Sequence, residues 1–282
     1  MRKFFYPAFL PIWVPIASIL ALLLRIWTLG GGKNAAGLYA PQPFAWTLLW
    51  IVTAVTLAAI FAVTRRLKNP GRYSDNFPAS PFGAAGCAIA GLGIMYSSLT
   101  TLVSAADLLA TLTGVLGLIS AIALLLSAVV RYQGKKPHFV LHVVPCLFFA
   151  LRVFNHCKDW SNLTQTGTFI FQFLASICIM LAAYQLCCFD VNLGNRKSSL
   201  FWSLTSVYFC VLALPLSEDP FFYGGILLWL MTNLCSVHPI KTAKPQVEAA
   251  SPVEQVSDDP IEIPTSELAS YSEILDQLNQ ED

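Results

Sequence analysis

Eight apolar runs, most of them about twenty residues long, dominate this chain and leave few folds open to it. They lie at Phe9–Thr28, Pro43–Val63, Phe82–Val103, Leu108–Val130, Phe139–Asn155, Phe169–Phe189, Leu200–Leu216 and Phe221–Val237. A helix needs about 20 apolar residues to cross the roughly 30 Å hydrocarbon core of a bilayer. The fifth, seventh and eighth runs are the short ones. Composition agrees: 56% of residues are hydrophobic and only 12% charged, with a mean hydropathy of +0.62. Soluble domains carry about 25% charged residues, so a water-soluble fold is excluded as an expectation. The predicted fold is an all-α integral membrane protein, a bundle of about eight transmembrane helices.

Orientation follows from the lysines and arginines, which hold short loops on the cytoplasmic side. With an inside N-terminus, 13 of the 17 basic residues fall on inner segments. These include Arg65, Arg66, Lys68 and Arg72 after the second run and Arg131, Lys135 and Lys136 after the fourth. Eight crossings return the C-terminus to the same side. The expected location is the plasma membrane, multi-pass, with both termini cytoplasmic. The first run reads as a retained helix, because Arg25 and Trp27 anchor its outer end and no small-residue cleavage site follows cleanly.

The fifth run laid on the first matches Arg25 with Arg152 and brings Pro15 near Pro145. The string LAA recurs in the second and sixth runs, and Asp107 and Asp219 follow the third and seventh. A duplication would give two parallel four-helix repeats, 1–130 and 131–244, about an axis along the membrane normal. The competing reading is coincidence between apolar helices of similar composition. Under duplication, Arg25 pairs with Asp107 and Arg152 with Asp219.

An arginine one turn inside an apolar run must reach the headgroups, pair, or line a wet cavity. Arg25, Asp107, Arg152 and Asp219 all fall near the predicted outer face. They form either helix-locking pairs or an extracytoplasmic polar pocket. Helical spacing sets His138, His142, Arg152, His156 and Asp159 along one stripe of the fifth run, which makes a proton relay chemically open. The i, i+4 histidines lack a third ligand in sequence, so no metal is expected and no other cofactor is implied. The eight cysteines are scattered without a C-x-x-C pair and read as packing residues. In the third run, GAAGCAIAGLG offers a small-residue face for close helix contact.

No G-x-S-x-G, H-E-x-x-H or Walker loop occurs, so catalysis is not expected. Residues 245–282 differ in kind, holding ten acidic and no basic side chains. This tail is expected to be a disordered acidic cytoplasmic segment, with a short amphipathic helix near 266–279 presenting Leu268, Tyr271, Leu275 and Leu278. The lipid bilayer is the first expected partner and a cytoplasmic protein at the tail the second; no nucleic acid is expected. Two functions compete. One is a transporter or membrane component that handles a small solute or ion through the outer polar pocket. The other is a non-catalytic scaffold or sensor whose tail binds a cytoplasmic protein.

Overall fold

The computed structural model describes residues 5–30, 42–67, 73–77, 79–105, 107–161, 166–217 and 219–237. All belong to one compact unit, Met1–Ile240. The acidic tail and its expected helix, with Leu268, Tyr271, Leu275 and Leu278, lie outside the described residues.

Among the described residues the secondary structure is entirely helical. Eight long helices coincide with the eight apolar runs: α1 (Phe5–Leu29), α2 (Pro43–Arg65), α4 (Pro81–Val103), α5 (Leu108–Tyr132), α6 (Val140–Ser161), α7 (Thr166–Asp190), α8 (Arg196–Ala213) and α9 (Pro220–Ser236). A one-turn helix, α3 (Tyr73–Asn76), precedes α4, and a 3-10 turn at Leu214–Leu216 follows α8. Segments of α2, α4, α5, α6 and α7 are long and apolar enough to cross a membrane.

The starts are written locally. Proline opens α2, α4 and α9, where a missing N–H costs nothing. Ser80, Asp107 and Asn195 cap α4, α5 and α8, their side-chain oxygens accepting first-turn N–H groups. Gly134 and Asn192 take the left-handed conformation just beyond α5 and α7, turning the chain back into α6 and α8.

The polarity is inverted relative to a soluble bundle. On α5, Leu108, Leu112, Val115, Ile119, Ile122, Leu126 and Val129 are exposed, a 4–3 alternation that puts one apolar stripe outward. The opposite face buries Thr113, Gly114, Gly117, Ser120, Ser127 and Arg131. On α1, Ile16, Ile19, Leu20, Leu23 and Ile26 are exposed while Ser18 and Arg25 are buried. Such a surface is costly in water, whereas lipid chains match it.

Helix α4 lies along both α5 and α9, α6 joins α5 to α7, and α8 packs on α7, α9, α1 and α2. This adjacency does not follow the pseudo-twofold that parallel halves 1–130 and 131–244 require. Among the described residues α7 and α8 are packed neighbours, whereas α2 and α4, at the corresponding place, share almost no contact. α4 lies along α9, yet no comparable α5 to α8 interface exists there.

The small-residue face of α4 makes its two interfaces close. A Cβ on Gly93 would stand 2.7 Å from the Phe221 carbonyl oxygen, and one on Gly86 would overlap the Thr232 hydroxyl. A Cβ on Gly224 of α9 would meet nothing within 4 Å. We therefore expect Gly93→Ala to destabilise the bundle by about 1–3 kcal/mol through backbone crowding, and Gly224→Ala to leave it unchanged. Thermal unfolding of the two variants in detergent, side by side, checks this.

Candidate functional site

Among the described residues, the ion pairs of this bundle all use α6. Its length brings a base opposite each of three carboxylates: His142 meets Asp190, Arg152 meets Asp219, and Lys158 meets Asp107. The three differ in depth. Lys158 and Asp107 are 47% and 40% exposed, so that pair sits at the rim. His142 and Asp190 are buried, and Arg152 is buried against a half-buried Asp219, where ions depend on their partners.

The first buried cluster lies near the end of the bundle where α4, α6 and α8 finish and α9 begins. Arg152 donates from Nη2 to Asp219 Oδ2 at 2.7 Å and from Nη1 to Ser97 Oγ at 3.3 Å. Ser97 in turn donates to the same carboxylate oxygen at 3.0 Å. The Arg152 guanidinium also lies over the Phe222 ring, 4.0 Å from its centre, a cation–π contact that offsets part of its desolvation. Asp219 precedes the first turn of α9, whose unsatisfied N–H groups favour negative charge. Arg152 is 9% exposed at its side chain and Asp219 24%, so solvent reaches the pair through the carboxylate. His156, one turn further along α6, has a buried Nε2 with no hydrogen-bond partner. Below, Tyr223 donates to the Gln172 carbonyl at 3.4 Å and meets Ser176, which ties α9 to α7.

The second cluster occupies the other end. His142 Nδ1 and Asp190 Oδ2 are 2.6 Å apart, with side-chain exposures of 8% and 0%. Nearby, Arg131 donates to Asn233 and, at 2.7 Å, to Ser236, occupying space that a side chain at Gly83 would fill. α3 packs against this end: Phe77 contacts Phe189 and lies beneath Arg131, and Tyr73 is buried beside it. Burial pushes the Tyr73 phenol up to about 12, with Arg131 pulling it down and Asp190 adding to the rise.

Between the clusters stands an aromatic layer. Phe148 and Phe149 of α6 meet Phe222 and Trp229 of α9, with ring centres 5.4 to 6.4 Å apart. All four are buried to within 2%. Ten residues separate His142 from Arg152, about 15 Å along a helix axis. Two polar sites are thus divided by packed rings.

Sequence reasoning set Arg25 and Asp107 together, and the structure does not. Asp107 accepts from the Ala110 N–H as the cap of α5 and takes Lys158. Arg25 is buried at the junction of α1, α2 and α7, its guanidinium 4.8 Å from the Phe171 ring centre and 5.7 Å from Trp46. Aromatic rings, not Asp107, face that guanidinium. His138 is also off the predicted stripe, because α6 begins at Val140 and His138 is an exposed residue just before it. Among the described residues no group of three or more His, Cys, Asp or Glu side chains is arranged to hold a metal. Ser97, Asp190, Arg131 and Asn233 are the members that the sequence did not single out for these clusters.

No protein family, curated protein or solved structure matches this chain.

The burial difference between the pairs is directly measurable. Asp219→Asn leaves Arg152 without its counter-charge in an apolar surround, and we expect a loss of about 3 kcal/mol. Asp107→Asn removes an exposed pair while keeping a capping side chain, so a loss below about 1 kcal/mol is expected. Chemical denaturation in mixed micelles compares the two.

Proposed function

We propose that this chain is a multi-pass membrane protein in which all eight long helices span the bilayer, both termini are cytoplasmic, and a small charged or zwitterionic solute is handled at the Arg152, Asp219, Ser97 and His156 cluster near the extracytoplasmic face. The supporting observation is an ion pair held inside an otherwise apolar bundle and reached by solvent through one carboxylate. A purely structural lock gains nothing from that opening, whereas a binding site needs it. Asp219 offers a negative group, Arg152 a positive one, and Ser97 a hydroxyl that can switch partners. The unpartnered imidazole nitrogen of His156 adds a fourth polar contact. The aromatic layer beneath the cluster is what a transport path needs when closed, because it separates two polar sites with a dry barrier.

The orientation rests on the lysine and arginine distribution, and two exposed cysteines test it. Cys157, near the end of α6, belongs outside, and Cys235, near the end of α9, belongs inside. A membrane-impermeant maleimide added to intact cells should label a variant retaining only Cys157 and spare one retaining only Cys235. The reverse pattern overturns the orientation.

The solute reading is tested by thermal shift of purified protein against a panel of small carboxylates, amino acids, phosphate and monovalent cations. At least one should stabilise the wild type, and its effect should fall at least about tenfold in apparent affinity in Ser97→Ala, which keeps the ion pair. A panel that acts equally on wild type, Ser97→Ala and Arg152→Gln contradicts the assignment.

A further inference from the structure

We infer that the His142 and Asp190 pair is a proton-binding site at the cytoplasmic end of the bundle, holding one exchangeable proton between imidazole and carboxyl. The inference rests on the membrane reading above and is independent of any solute at Arg152. Three observations carry it. The two groups are 2.6 Å apart, a direct hydrogen bond short enough to be charge-assisted. They are nearly sealed, yet Asp190 Oδ1 is buried without a hydrogen-bond partner. A permanently charged carboxylate would be expected to have both oxygens satisfied.

The third observation is the placement of the pair on its helices. His142 lies in the first turn of α6, where the helix end is positive and an imidazolium is disfavoured. Asp190 is the last residue of α7, where the helix end is negative and a carboxylate is disfavoured. Both dipoles therefore oppose the ion pair and favour the neutral form, with the proton on the carboxyl and the imidazole uncharged. Coulomb attraction across 2.6 Å favours the opposite form. Opposed biases of this kind let the proton move between the two atoms, and let a second proton charge the site. The outer pair differs, because Asp219 sits at a favourable helix start and an arginine does not release its proton.

The groups around the pair are few. Arg131 of α5 and Tyr73 of α3 act on one another and Tyr73 also feels Asp190. Cys187 of α7 feels Asp190 and adjoins Cys146 of α6. Arg196 is buried at the start of α8, at this same end. Among these groups His142 is the one with a direct bond to Asp190, while Cys146 and Cys187 bond to each other.

Nitrogen NMR of histidine-labelled full-length protein in nanodiscs reads the site without any solute, since the chain has only four histidines. The His142 signal is assigned by its loss in His142→Gln. It should titrate in the wild type, and in Asp190→Asn its proton affinity should drop at least about tenfold while the His138 signal stays put. Should Asp190→Asn fail to fold, Asp190→Glu keeps the charge and changes the reach, and the His142 midpoint must still move. A His142 signal that does not titrate between about pH 4 and 9, or that titrates identically in the Asp190 variant that folds, overturns the inference. Neither result bears on the solute assay, so the two readings fail separately.

Discussion

An ion in an apolar bundle needs a counter-charge, hydrogen bonds or a ring face, and among the described residues the ion pairs converge on one helix. α6 carries the bases for Asp107, Asp190 and Asp219, from the start of α5, the end of α7 and the start of α9. Its position between α5 and α7 follows from these bonds as much as from apolar packing. Contacts between apolar side chains can slide along a helix at little cost. A hydrogen-bonded charge pair cannot, so Arg152 with Asp219 and His142 with Asp190 fix both the rotation and the height of α6.

The two buried pairs are built with opposite electrostatics. Asp219 stands at a helix start that favours its negative charge, and Arg152 meets it across 2.7 Å. His142 and Asp190 stand at helix ends that oppose their charges, which is the ground for the proton site proposed there. Phe148, Phe149, Phe222 and Trp229 keep them apart. The two proposals, a solute site and a proton site, thus concern clusters stacked along one helix with an aromatic layer between them.

The helices were legible in the sequence because each apolar run carries its own length and polarity, independent of its neighbours. Runs such as Leu108–Val130 and Phe169–Phe189 needed no tertiary information. The pairings did need it. Arg25 and Arg152 occupy similar places in their runs, yet one meets aromatic rings of α2 and α7 and the other a carboxylate at the start of α9, and only the helix adjacency decides which. Asp190 closes its apolar run, and its burial depends on α3 and α6 covering that end. Arg131 read as a loop charge that marked the inner side. The glycines of α4, and Gly83 in particular, were the available signal that a guanidinium packs there.

The central claim is that the Arg152 to Asp219 bond holds α6 to α9 from within the bundle, unlike the rim pair of Lys158 and Asp107. A double-mutant cycle with Arg152→Met and Asp219→Asn, read by unfolding in lipid micelles and compared with the Lys158 and Asp107 cycle, measures it most directly. The account predicts a coupling above about 1.5 kcal/mol for the buried pair and below about 1 kcal/mol for the rim pair. Equal couplings, or one near zero for Arg152 and Asp219, would contradict it.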